Sequence, residues 1–135
     1  MERIIKFSNQ LEEVTRVASF IEELGEELHL SLSVVNAIQL AIEEAVVNVI
    51  NYSYAPGQTA VSTLKVSTNG SELVFTLTDS GQPFNPLTKE EPDLTASVQE
   101  RPVGGLGILL VKKLMDNVTY KYKEGNNNLI LTKML

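Results

Sequence analysis

Between Ser31 and Asn51 the chain sets apolar residues at the spacing of one helical face. Val34, Val35, Ile38, Ala41, Ile42, Ala45, Val46 and Val49 fall within an arc of about 140° at 100° per residue. So wide an apolar arc has to be buried against a second layer, which makes this helix the centre of any fold the chain adopts. Ser31 and Ser33 supply N-caps, and Tyr54-Ala55-Pro56-Gly57 ends the helix after about Asn51. Glu44, Asn48 and Asn51 gather within about 60° on another side, at i, i+4 and i+7. Exposed helix faces favour Lys, Glu, Gln and Arg, whereas Asn is a poor interior helix former. On spacing alone the triplet still reads most simply as the wet face of an amphipathic helix.

The flanking sequence supplies the second layer. Arg3 to Phe7 reads as a short strand ended by Ser8-Asn9, and Leu11, Val14, Val17, Ala18, Ile21, Leu24 and Leu28 recur at helix spacing. Ala60 to Ser67 and Glu72 to Thr78 read as strands joined at Asn69-Gly70, a strong hairpin pair. A third helix is expected from about Gly105 to Met115. A closing hairpin of Val118 to Tyr122 and Leu129 to Met134 turns at Gly125 and the asparagines. The order predicts a single α+β domain over 1–135, a two-layer α/β sandwich with helices on one face of a mixed sheet.

Bulk properties narrow the function. No apolar run approaches the ~20 residues of a membrane span, and MERIIKFSNQ lacks the parts of a signal peptide. A cytoplasmic protein with no membrane partner is expected. There is no cysteine and one histidine, His29, so thiolate and histidine-rich metal sites are excluded. The net charge of −6 repels a phosphate backbone, so no direct nucleic-acid partner is expected. A nucleotide, itself anionic, would need a local reversal of sign: N–H groups at a helix start, a metal ion or a few basic side chains.

Gln82 to Val103 shows neither period and carries Pro83, Pro86, Pro92 and Pro102. Loops longer than about 12–15 residues are uncommon in compact domains and are often lids or binding loops. This one lies between Asp79-Ser80-Gly81 and Gly104-Gly105-Leu106-Gly107. A carboxylate at the strand end can accept from the N6 amino group of adenine, which guanine lacks at that edge. Gly81 would let the backbone approach a flat base. The later glycines open a helix, where free N–H groups and the dipole favour an anion. A Rossmann motif is excluded, because these glycines follow a Pro-rich loop rather than a strand. On the long helix, an Asn oxygen suits Mg²⁺ that takes its other ligands from phosphates and water. A carboxylate one turn away could act as a base in phosphoryl transfer.

These three segments resemble the boxes of the GHKL (Bergerat-fold) superfamily. Glu43-Glu44-Ala45-Val46-Val47-Asn48-Val49-Ile50-Asn51-Tyr52 is similar to its N box, Asp79-Ser80-Gly81-Gln82-Pro83-Phe84 to its G1 box, and Gly105-Leu106-Gly107-Ile108 to its G2 box. Within it, the short chain, the Pro-Phe after G1 and the Leu-Val-Lys-Lys-Leu-Met-Asp helix resemble bacterial anti-sigma factor serine/threonine kinases. The resemblance implies ATP or ADP with Mg²⁺, Glu44 as base, Asn48 as the metal ligand and Asp79 as adenine reader. It implies nucleotide contacts at Asn48, Asn51, Gly81, Phe84, Arg101, Gly104, Gly105, Leu106 and Gly107. It also implies a sigma factor and an anti-anti-sigma protein as partners, and leaves a homodimer open. Two positions depart from the family pattern: Pro102-Val103 stand where an arginine often precedes the G2 glycines, and the asparagine run replaces a Gly-Thr. The alternative is a non-catalytic, nucleotide-gated binding module. A detached histidine-kinase half fits poorly, for His29 is not flanked like a phosphoacceptor.

Overall fold

The computed structural model of the chain describes residues 1–55, 57–88 and 105–135. Strand β1 (Glu2–Ser8) leads into α1 (Glu13–Glu27) and α2 (Leu32–Tyr52), followed by β2 (Val61–Thr68) and β3 (Glu72–Asp79). After a 3-10 turn at Pro86–Thr88 come α3 (Gly105–Leu114), β4 (Asn117–Lys123) and β5 (Asn126–Met134). The five strands form one sheet in the order β1-β2-β3-β5-β4.

Each pairing is antiparallel, where the pattern suggested a mixed sheet. Two successive helices return the chain to the end of the sheet it left, so β2 runs against β1. β3 and β4 do run parallel, as a strand–helix–strand crossover demands, but β5 inserts between them and pairs antiparallel with both. A further correction is at the asparagines, expected in a turn: Asn126, Asn127 and Asn128 are ladder residues of β5. Glu124 and Gly125 alone make that turn, both at positive φ, as a two-residue hairpin turn requires.

Local chemistry sets the ends. Ser31 caps α2, its Oγ accepting from the Val34 N–H at 3.2 Å. Glu13, in the first turn of α1, reaches back to accept from the Ser8 N–H at 3.0 Å and also binds Arg16. Those bonds, the Ser8 N–H foremost, hold its carboxyl below the usual range. Asn69 Oδ1 accepts from the Ser71 N–H at 3.0 Å and closes the β2–β3 turn, with Gly70 at φ +96°.

One core fills the space between helices and sheet. Ile38, Ala41, Ile42, Ala45 and Val46 of α2 pack with Val17 and Ile21 of α1, Leu64, Val66, Phe75, Leu77 and Leu131 of the sheet, and Ile108 and Val111 of α3. By length and hydropathy alone α2 could cross a membrane, contrary to the expectation that no run comes near that length; its apolar face packs into this core instead. Alternate strand residues, Ile4, Lys65, Thr76 and Ile130 among them, face away from the helices. The C-terminal half of α2 therefore lies over the ends of β3 and β5, with its polar side chains at their border.

Candidate nucleotide site

A small cavity of about 20 Å³ lies where α2 crosses the strand ends. Ala45, Asn48, Val49 and Ser53 line it from α2, Leu77 and Asp79 from β3, and Tyr120, Asn127 and Leu129 from β4 and β5. Phe84 and Pro86 close one side. The walls are mostly apolar, with a few polar atoms placed among them.

Two of those polar groups keep atoms without a partner among the described residues. Asn48 is 8% exposed, and its amide makes no hydrogen bond to a described residue. Asp79 is 5% exposed; its Oδ1 accepts from the Gly81 N–H and from Asn127 Nδ2, both at 2.9 Å. Its Oδ2 has no donor among the described residues. Both groups line the same cavity, so an amide and a carboxylate oxygen are open there to a ligand. A carboxylate accepts only, which calls for a donor such as an exocyclic amino group.

Asn127 accounts for much of this geometry. It faces Asp79 across the β3–β5 ladder, donates to the Gln82 carbonyl at 2.8 Å as well as to Asp79, and accepts from the Phe84 N–H at 3.0 Å and from the Tyr120 hydroxyl. Burial, with Asp79 and Tyr122 adding, pushes the Tyr120 hydroxyl above its ordinary pKa against a bond from Phe84. The hydroxyl therefore stays protonated and able to donate at neutral pH. The Phe84 ring also packs on Tyr52, centroids 5.9 Å apart.

Gly81 serves a packing need. A Cβ there would lie 2.7 Å from the Ser53 carbonyl carbon and closer still to its oxygen. The segment after β3 is zipped to the end of α2: Gln82 N–H donates to the Ser53 carbonyl at 3.0 Å, Gln82 Nε2 to the Tyr52 carbonyl at 3.0 Å, and Ser80 N–H to the Tyr54 hydroxyl at 3.1 Å. Only glycine allows that approach.

On the α3 side, Glu44 meets Gly107 in the first turn of the helix. A Cβ at Gly107 would lie 2.6 Å from Glu44 Oε2, so the carboxylate rests against the first turn of α3. The positive end of the helix dipole favours an anion at that point. The distant N-box and G2 segments thus converge in space.

The sequence profile of the histidine kinase-like ATPase domain matches residues 7–133 of this chain. The chain belongs to that family. Among relatives of this ATPase domain, a serine/threonine-protein kinase, BtrW, of Bordetella bronchiseptica is 27% identical over 95 residues, covering 70% of this chain and 67% of the relative. The anti-sigma F factor of Clostridium acetobutylicum is 26% identical over 117 residues, covering 87% and 78%. The structure of the RsbU and RsbW domains of a Mycobacterium tuberculosis protein superposes with a TM-score of 0.73 at 17% identity, over 100% of this chain and 32% of that one. At that identity the likeness speaks for the shared fold.

Within the ATPase domain the expected site residues divide into groups. Asn48, Asp79 and Phe84 line the cavity together, Gly81 adjoins it, and Glu44 pairs with Gly107 beside α3. Asn51 is exposed and lines a separate open groove of about 630 Å³ with Tyr52, Tyr54, Gln82 and Tyr122. Gly105 and Leu106 start α3, while Arg101 and Gly104 lie outside the described residues. So does the segment 89–103 of the expected lid; its first part, Gln82 to Phe84, is tied to α2 and β5. Asn127, Tyr120 and Ser53 are site residues that the motifs did not single out. One signal for Asn127 lies in the period-two pattern Asn127, Leu129, Leu131, which points the asparagine inward.

Proposed function

We propose that this protein is an anti-sigma regulatory factor and ATP-dependent serine/threonine protein kinase, which holds a sigma factor and phosphorylates a serine of an anti-anti-sigma protein. The observation that carries the reading is the cavity lined by Asp79 Oδ2 and the Asn48 amide, neither of which has a partner among the described residues. Family membership and relatives named as a kinase and as an anti-sigma factor support the regulatory role.

In this reading Asp79 accepts from the adenine amino group while Phe84, Leu77, Val49 and Leu129 enclose the base. The phosphates run from there past Asn48 toward the start of α3, where backbone N–H groups offset the acidity of the chain. Asn48 Oδ1, a neutral hard oxygen lining the cavity, would hold Mg²⁺ as one protein ligand, phosphate and water supplying the rest. When bound, the ion would neutralise charge on the transferring phosphoryl group. Glu44, one turn before Asn48, accepts the proton of the attacking serine hydroxyl.

Asn48→Ala is expected to weaken Mg-ATP binding by about tenfold or more and to lower phosphotransfer with it, because a ligand of the bound state is lost. Titration calorimetry with and without Mg²⁺ checks this, the difference between the two conditions shrinking in the variant. The function is tested by incubating the protein with γ-labelled ATP and a candidate antagonist. Label on an antagonist serine supports the kinase. A folded protein that binds Mg-ATP and transfers no label supports the nucleotide-gated binding module instead.

A further inference from the structure

We propose that Asn127 is a positioning residue that determines base specificity: it sets which oxygen of Asp79 faces the cavity and fixes the wall beside it. The inference rests on the reading in which adenine lies against Asp79. Asn127 is 4% exposed, and both ends of its amide are occupied. Nδ2 donates to Asp79 Oδ1 at 2.9 Å and to the Gln82 carbonyl at 2.8 Å. Oδ1 accepts from the Phe84 N–H at 3.0 Å and from the Tyr120 hydroxyl. The amide cannot turn over, since its oxygen would then face a carboxylate and a carbonyl while its NH₂ faced two donors.

This arrangement constrains recognition. With Gly81 N–H and Asn127 Nδ2 both on Oδ1, the carboxylate is held in one orientation and offers Oδ2 to the ligand. An acceptor fixed in one direction rewards a purine amino group and repels a purine carbonyl. Without the Nδ2 donor, Asp79 gains a second free acceptor position and freedom to rotate, so the directional preference is lost. The same amide also fixes Gln82 and Phe84, so the wall and the base reader depend on one side chain.

Wild-type protein is expected to bind ATP at least about tenfold more tightly than purine riboside triphosphate, which lacks the N6 amino group, since a hydrogen bond to a charged acceptor is at stake. Asn127→Ala is expected to lower that ratio to about 2–3, in protein that still melts cooperatively. Asn127→Leu keeps a similar side-chain volume without a second carboxylate beside Asp79 and loses the donors, so it should lower the ratio similarly. It also carries the test if the alanine variant does not fold. A purely structural role would weaken both nucleotides by the same factor and leave the ratio unchanged, and that result overturns the proposal. Wild-type protein with no preference for ATP would instead overturn the assignment of Asp79, and this role with it.

Discussion

Glu44→Gln is expected to lower phosphotransfer from ATP by about 10²–10⁴-fold while ATP affinity stays near that of the unchanged protein. A general base acts on a proton that moves only in the transition state, so its loss appears in the rate rather than in ground-state binding. Gln keeps the shape that fits against Gly107 and cannot take up the serine proton. Glu44 is half-buried at the border of α2, whose opposite face forms the core, so the fold is expected to persist. The check is an initial rate at saturating ATP beside a calorimetric titration and a thermal melt. A variant that loses affinity as well as rate would place Glu44 in nucleotide binding. An unchanged rate would remove it from the chemistry.

Gly81→Ala is expected to destabilise the protein by roughly 3 kcal/mol, about 10 °C in Tm, because the new methyl group meets the Ser53 backbone. Backbone cannot move aside as a flexible side chain can, so either the segment 80–82 or the end of α2 must shift. The shift would break the Gln82 bonds to Ser53 and Tyr52 and displace Phe84 from the cavity. Gly125 provides the contrast: it sits at φ +80° with nothing within 4 Å of an added Cβ. Gly125→Ala should cost only the left-handed backbone penalty, roughly 1 kcal/mol. Chemical denaturation of the two variants checks the difference. Equal losses would contradict the crowding argument.

The helices were legible because α1 and α2 carry long, consistent 3.6-residue patterns, and Ser31 marks a start that the backbone confirms. Asn69-Gly70 marked the β2–β3 hairpin because Gly70 takes the positive φ of the turn and Asn69 Oδ1 accepts from the Ser71 N–H within it. Asn126 to Asn128 look like a turn in sequence because asparagine favours turns, and tertiary pairing with β3 and β4 overrides that local preference. The order of strands was hidden too, since nothing local tells β5 to insert between β3 and β4. Asn48 and Asp79, which line the cavity, and Glu44, which lies against Gly107, belong to segments legible as motifs. The reason for Gly81 was not legible, because it lies in Ser53, 28 positions away in the chain. Asn127 was hidden by its apparent turn context.

The nucleotide reading stands or falls on the base. Titration calorimetry of the protein with Mg-ATP and Mg-GTP, repeated with Asp79→Asn, is the most direct measurement. The account predicts ATP binding with little or no GTP binding, and a loss of roughly 1–3 kcal/mol of ATP affinity in the variant, whose amide no longer presents an acceptor-only group. ATP and GTP binding equally well, or an Asp79→Asn variant that binds ATP like the unchanged protein, would contradict it.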